Sequence, residues 1–537
     1  MTGFWTPTKK TTIFVAGILV PVALIITFCV IFLRSESNEN ENEIDCDVTI
    51  LGAGFAGIYA AYQLANRSGA SVCLIEKLDR FGGRIYDVSG WPGGPIFGNG
   101  ALRLIGSQIT MLALATELGI SLQSEEQNSE LLRVRGQFFY RETGRDDINK
   151  MCHQVFPQLT CEYPGYTNNT HQAMISIVKE TYEANTSIAD QYFDYPNLIA
   201  SIFGDEGLEF IRESFRFVSF HTSVSVHSIL DYLYNEIYTT TNSHIRYYPV
   251  GGMSQFINRM LDHANRSNVR IFSSQPVHEI YTQSSDGDTL FHIKTKNHLF
   301  KATSVLCAID PIHLRDVRGN IADSITEMPH FKMILPRSAA IVTVWWPERW
   351  WETSPLYQNL SRVVSHENCF SSMDIPTFPY GRDQNVTRAV YDDGVCLEMW
   401  QGLIESGDKH ALSKVVVTSL SNVFTDVKIP EPRALDGFFH HNAWHYQVAN
   451  SKISNQEIFK WSLNPLAGKN FSLIGEAYNL KYATWCDGAL KSTMSALTKL
   501  YGFKYPCLND IGSPAICSSS RGKKNMIKSD VVPNFLF

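Results

Sequence analysis

The feature that most constrains this chain is the run Gly52-Ala53-Gly54-Phe55-Ala56-Gly57, set between a short apolar stretch, Asp47 to Leu51, and a continuation with helical character, Ile58 to Ala65. A second apolar stretch, Ser71 to Ile75, ends on Glu76, nineteen positions after Gly57. Strand, glycine turn, helix, strand and terminal acid in that order predict a βαβ dinucleotide-binding unit within a doubly wound α/β sheet. Gly52 permits the tight turn, Gly54 lets the backbone approach a pyrophosphate, and Gly57 lets the helix pack on the strand. The amides around Phe55 and Ala56 and the positive end of the helix then hold the phosphates. Glu76, with Lys77 beside it, is placed to accept the ribose hydroxyls.

At 537 residues the chain exceeds what one core can hold, so two or three lobes are expected. Its 46 basic and 53 acidic side chains give a formal net charge of -7, with no cationic excess of the kind that marks a nucleic-acid partner. The N-terminus differs in character: Thr12 to Leu33 carries no charge over a length that spans a bilayer as a helix. Lys9 and Lys10 precede it and an acidic run follows, so a retained anchor is expected, with its N-terminus cytoplasmic and the body extracellular or lumenal; cleavage would instead release the body. Sequons at Asn66, Asn168, Asn185, Asn265, Asn359, Asn385 and Asn470, and an even number of cysteines outside the anchor, agree with a glycosylating, oxidising compartment. The spacing suggests local bridges for Cys152 with Cys161 and Cys507 with Cys517. Cys46, Cys73 and Cys307, in apolar strand-like runs, read better as small buried thiols than as bridged ones.

Pattern and composition divide the chain into a cytoplasmic tail (1–11), a transmembrane anchor (12–33), a flexible stalk (34–45) and a body. The body comprises a dinucleotide-binding domain assembled from 46–90, 248–325 and 465–503, a mixed-sheet substrate domain from 91–145 and 326–464, and a helical insertion (146–247). Residues 504–537 form a tail without periodicity.

Further segments specify the dinucleotide. FGGRI (Phe81 to Ile85) adds Gly83 and Arg84, and GALR (Gly100, Ala101, Leu102, Arg103), YPVGGM (Tyr248 to Met253), PVHEI (Pro276 to Ile280), IGEA (Ile474 to Ala477) and WCDGAL (Trp485 to Leu490) follow in order. With these segments and the glycine turn, the chain from about Asp47 to Leu500 resembles the flavin-containing amine oxidase family, which includes monoamine, polyamine and L-amino-acid oxidases. The resemblance implies FAD, with Val277 meeting the adenine through its backbone, Arg84 near the pyrophosphate and Glu476 at the ribityl chain. It also implies that Gly83, Gly100, Ala101, Leu102, Arg103, Gly475, Trp485 and Ala489 complete the cofactor wall. A helix expected from Gly488 would point its positive end at the flavin's pyrimidine edge, where reduction leaves negative charge.

Amine oxidation by a flavin needs a neutral amine held in a dry pocket with its carbon-bound hydrogen facing the flavin. Trp485 occupies the family position beside the flavin ring. Arg103 discriminates among substrates, because L-amino-acid oxidases resemble this chain in carrying arginine there, and a guanidinium forms a planar two-bond pair with a carboxylate. The expected activity is oxidation of an L-amino acid by oxygen to a 2-oxo acid, ammonia and hydrogen peroxide. Arg103 and Trp485 carry the site, Tyr391, Trp400 and Thr484 are further pocket residues, and no metal is expected. Alternatively Arg103 contacts only FAD phosphate or a protein acid.

A polyamine or monoamine oxidase using Asp392, Asp393 or Asp487 against a cationic substrate is a second reading. A membrane-tethered flavoprotein that does not turn over is a third, and it rests on one departure. Family members carry a lysine in the strand before an aromatic pair, whereas RSAAIVTVWWPERWW places Ala340 there, with Lys332 and Arg337 the nearest basic residues. Thr484, where glycine is usual, alters the substrate's backbone contacts. His221 and His244 carry no signal above ordinary polar residues, and the reading leaves room for a homodimer.

Overall fold

Val48 to Leu51 are all buried and form the end of the strand Asn42–Leu51, which pairs in parallel with Val72–Ile75 on one side and His298–Cys307 on the other. Val269–Phe272 adds outside Val72–Ile75, and Phe471–Leu473 outside His298–Cys307, both parallel. Five parallel strands covered on both faces explain why these segments are apolar without alternation. An antiparallel pair, Val277–Ser285 and Asp288–Thr295, continues the sheet from the first half of His298–Cys307. The computed structural model describes residues 42–505 except 68, 92–95, 127–128, 143–144, 167–168, 216, 233–244, 286–287, 376–384, 395 and 480–484. The expected anchor, the N-terminal tail, residues 506–537 of the C-terminal tail, Thr484, His244, Asn168 and the Cys507/Cys517 pair lie outside the described residues, whereas Tyr505, placed in that tail, is buried in the dinucleotide-domain core. Among those described, no helix is long and apolar enough to cross a membrane.

The turn after the first strand is possible only with glycine. Gly52 has φ +94°, and a Cβ there would sit 2.8 Å from the Ala308 carbonyl oxygen; a Cβ on Gly57 would sit 1.9 Å from the Gly52 oxygen. The helix Phe55–Arg67 can therefore lie directly on the sheet, with Ser254–Asn265 and Cys486–Tyr501 packed against it. These two helices come from distant parts of the sequence, so the domain is assembled from separated segments.

A second sheet has the strand order Ala434–Gln447, Ile334–Trp345, Val386–Asp392, Ser371–Asp374, Arg362–Ser365, Ser129–Val134, Gln137–Glu142, Arg145–Asp146. Its pairings are antiparallel except Arg362–Ser365 with Ser129–Val134. An aromatic core that includes Trp346, Trp350, Trp351 and Trp400 fills one face, with the helices Leu397–Glu405 and Lys409–Ser421 against it. Between Arg145–Asp146 and Val269–Phe272 in sequence come the helices Ile148–Val155, Thr170–Ala184, Tyr195–Ser214 and Val226–Tyr232.

Two expectations are corrected here. The last residues of the expected stalk are sheet: Asn42 to Asp45 pair with His298 to Lys301, and the Glu43 carboxylate lies 2.6 Å from Lys301 Nζ. An acidic run without apolar periodicity hides a strand whose partner is more than 250 residues away. Cys46 and Cys73 are bridged, with Cα atoms 6.0 Å apart, because parallel pairing sets their strands side by side. Cys307 is a free buried thiol, Cys152 bridges Cys161, and Cys369 bridges Cys396.

Candidate active site

Parallel pairing puts all five strand ends on one edge, and a cavity of about 760 Å³ runs along it. Gly52, Gly54, Phe55 and Ala56 line it after the first strand, and Glu76 and Lys77 after the second. Gln275 to Val277, Ala308 to Asp310 and Ile474 to Glu476 follow the other three. This is where open α/β sheets bind ligands. Glu76 is buried and held at the edge, its Oε2 accepting from the Ala53 amide at 2.7 Å and its Oε1 from the Leu78 amide at 3.0 Å. A Cβ on Gly54 would meet nothing within 4 Å, so this backbone is open to close approach.

Four charged groups join this edge to the second sheet. Arg84 Nη1 donates to Glu476 Oε1 and, at 3.2 Å, to the Ala443 carbonyl, while its Nη2 lies 3.9 Å from Asp310. His445 sits between the two acids, with Nδ1 2.6 Å from Glu476 and Nε2 3.4 Å from Asp310. Burial alone would raise the Glu476 carboxyl, but Arg84 and His445 outweigh it and bring it down to about 2. Burial likewise opposes charge on His445, yet Asp310 and Glu476 push it up to about 9. Two cations thus face two carboxylates in a cluster that is neutral overall and fully ionised at neutral pH.

The far end of the cavity belongs to the second sheet. Tyr391 and Trp444 stack with ring centroids 6.3 Å apart and planes within 5°, and Phe217 stands edge-on to both at 5.7 and 6.3 Å. Asp393 holds the Phe217 segment in place by accepting from the Val218 and Ser219 amides and from the Ser219 hydroxyl at 2.6 Å. Burial pulls His440 down to about 4, so the ring that donates to the Asn99 carbonyl at 2.7 Å is neutral. Arg103 lines the same end with its side chain 12% exposed, and its one ion pair among the described residues is to Asp374 at 3.9 Å.

Of the residues singled out in the sequence, Gly83, Arg84, Gly100, Ala101, Leu102, Arg103, Tyr391, Gly475, Trp485 and Ala489 also line the cavity. Gly57 and Gly488 do not: Gly57 acts on helix packing, and Gly488 lies in the first turn of a helix that starts at Cys486, two residues earlier than expected. Trp400 is corrected outright. It is fully buried in the aromatic core behind the sheet, donating to the Cys369 carbonyl, and is not a pocket residue.

Ala340 also faces that core; the residues of its strand that meet the cavity are Ala339 and Ile341. Arg337 turns away to Thr222 at 2.8 Å, and Lys332 pairs with Glu327. The acids proposed for a cationic substrate do not line the cavity. Asp487 pairs with Lys491 at 2.6 Å, Asp393 holds the loop, and Asp392 is pushed up to about 7 by burial and by Asp393. His221 is buried outside the cavity wall. Sequence reading missed Asp310, His445, Arg388 and Phe217. Only Asp310, just past a buried strand end, carried a signal that could have found it.

A glycine-turn dinucleotide edge, a ribose-side acid and an aromatic chamber on a second sheet define a dinucleotide-dependent oxidoreductase. The family model for flavin containing amine oxidoreductases matches residues 55–496, and the chain belongs to that family; its cofactor is FAD. The Mycobacterium tuberculosis protein AofH, assigned as a flavin-containing monoamine oxidase, is 46% identical over 79 residues, 14% of this chain and 16% of its own length. Human lysine-specific histone demethylase 2 is 39% identical over 90 residues, 17% of this chain and 11% of its own. The chain therefore matches only a small part of each curated relative. Cyclohexylamine oxidase from Brevibacterium oxydans shares the fold with a TM-score of 0.65 and 16% identity, over 85% of this chain and 99% of that one.

The residues present fit FAD. Gly54 leaves room for the pyrophosphate against the helix N-terminus, and Glu76 keeps lone pairs free for ribose hydroxyls. Glu476 and Arg84, both ionised on the cavity wall, would hold the part of the cofactor beyond its phosphates. Bound there, FAD supplies the two-electron acceptor that oxygen can regenerate.

Proposed function

We propose that this chain oxidises L-amino acids, consuming oxygen and water and yielding a 2-oxo acid, ammonia and hydrogen peroxide. The observation that carries the reading is Arg103, a guanidinium on the wall of the aromatic end whose one acid partner is 3.9 Å away, beyond hydrogen-bond distance. It can take a substrate carboxylate in a two-bond pair. Phe217, Tyr391, Trp444 and Trp485 exclude water and orient the amine-bearing carbon, and among the described residues no acid of the second sheet lines the chamber to hold a cation. Peroxide release by the FAD-loaded body should appear with some members of an L-amino-acid panel; full flavin occupancy with no turnover of any would end the reading.

A simple-amine oxidase is favoured instead by the names of the similar proteins, and turnover of cyclohexylamine or benzylamine without any amino acid would select it. A flavoprotein without turnover is favoured by the apolar Ala339 and Ile341, where no lysine meets the cavity. Anaerobic bleaching of the flavin by substrate without reoxidation in air would trace that failure to the oxygen step.

We also propose that the body is held by the Thr12 to Leu33 segment on the non-cytosolic side. Three disulfides among the described residues support it. Five of the sequon asparagines, Asn66, Asn185, Asn265, Asn359 and Asn470, are exposed, while the Asn385 amide donates to the Pro347 carbonyl. A mobility shift on deglycosylation and membrane retention of the full chain test the two halves of this proposal.

A further inference from the structure

We infer that the substrate end is built for an L-amino acid bearing a second carboxylate, with Arg388 joining Arg103 in recognising it. The inference rests on the L-amino-acid reading and narrows its substrate class. It starts from an alternating chain of charges: Arg141 donates to Glu130 at 2.9 Å, Glu130 pairs with Arg362, and Arg362 Nε meets Asp374 Oδ1 at 2.8 Å. The other oxygen of Asp374, Oδ2, then serves two guanidiniums at once, Arg388 at 3.7 Å and Arg103 at 3.9 Å. These four guanidiniums have two carboxylates between them, a fifth, Arg246, is near enough to feel the charges of Arg103, Arg362 and Glu130, and the chain ends on the cavity with the two cations that share a single oxygen.

Arginine cannot discharge itself by losing a proton, and Arg388 is 4% exposed, so the surplus stays as charge in a poorly screened site. The contrast with Arg362 is direct. Burial works against both, but Arg362, with a carboxylate on each side, is raised well above the ordinary arginine value, whereas Arg388 is lowered despite Asp374. The Nε groups of Arg103 and Arg388 are both buried and have no hydrogen-bond acceptor among the described residues. Arg388 is held facing the cavity by donating through Nη2 to the Gly98 and Gly100 carbonyls, at 2.9 and 3.0 Å, with its guanidinium 5.7 Å from the Tyr391 ring. An α-carboxylate offsets one surplus charge at this end; a side-chain carboxylate offsets a second.

The sharpest test uses substrates equal in size and different in charge. With the FAD-loaded enzyme, kcat/KM for L-glutamate over L-glutamine, and for L-aspartate over L-asparagine, should exceed about tenfold in at least one pair. Arg388→Met should bring that ratio to about one by raising KM for the acid while leaving that for the amide. Should that variant not fold, the wild-type flavin spectrum titrated with glutarate against glutaramate gives the same comparison, with glutarate effective at about tenfold lower concentration. Amides used as well as acids, or glutaramate equal to glutarate, overturn the inference and leave L-amino-acid oxidation standing. Turnover of simple amines alone overturns both.

Discussion

At the dinucleotide end the cavity is framed by a glycine turn and five strand ends, and the cluster of Arg84, His445, Glu476 and Asp310 that ties it to the second sheet balances to neutrality. At the substrate end the wall is side chains drawn from distant strands, and its charges do not balance. The cofactor end therefore has little tolerance for added atoms at Gly52 and Gly57 or for loss of a charge from the cluster, where each cation stands against an acid. The substrate end has spare capacity, which is what a site awaiting an anionic ligand needs.

The largest effect expected of that contrast is at Glu476. Glu476→Leu leaves Arg84 and His445 short of their shared acid and should cost about 3 to 5 kcal/mol, read as a lower unfolding temperature and loss of flavin absorbance per protein. Retained flavin and stability would mean the cluster is not the strut described. Next, Arg103→Met should leave flavin occupancy intact and raise KM for amino acids by tens to thousands of fold, roughly 2 to 5 kcal/mol, with little change for amines. A variant that instead lost its flavin would move Arg103 to the cofactor end and blur the division.

Gly57→Ala places a methyl group 1.9 Å from the Gly52 oxygen and should cost roughly 1 to 3 kcal/mol or more, with flavin content falling while any residual holoenzyme keeps its KM. The smallest expected effect is a pH profile. His445 is raised from 6.5 to about 9, so its contribution is complete below pH 6.5 and is lost as pH rises through 9. Glu476 is lowered from 4.5 to about 2, so its contribution holds above pH 4.5 and is lost as pH falls through 2. Stability from the pair should be greatest between pH 4.5 and 6.5 and decline toward pH 9. His445→Gln should flatten that alkaline limb, and an unchanged limb would assign the slope elsewhere.

Reading the sequence failed where both faces of an element are buried. Ala339 to Val344 are all buried, so no polar alternation distinguishes the cavity face from the core face, and Ala340, at the position expected of the family lysine, lies on the core face. Trp400 is the buried residue of an otherwise exposed or half-buried helix, and nothing in its local pattern says which cavity or core it enters. Cys46 and Cys73 are separated by 27 residues within apolar runs, and only the parallel pairing of their strands brings them to bridging distance. Arg388 and His445 carried no motif, because their roles depend on Asp374, Glu476 and Asp310, none of them near in sequence.

What the sequence determined alone is the glycine turn at Gly52 with Glu76 beyond it, and through the ordered segments that follow, the flavin family. A turn, a helix N-terminus and a strand-end acid are properties of contiguous residues, so their chemistry can be read in order. Which charges meet across the cavity was decided by the tertiary structure. It alone sets two guanidiniums on one oxygen of Asp374 and a histidine between two acids, because electrostatic balance is a sum over neighbours in space.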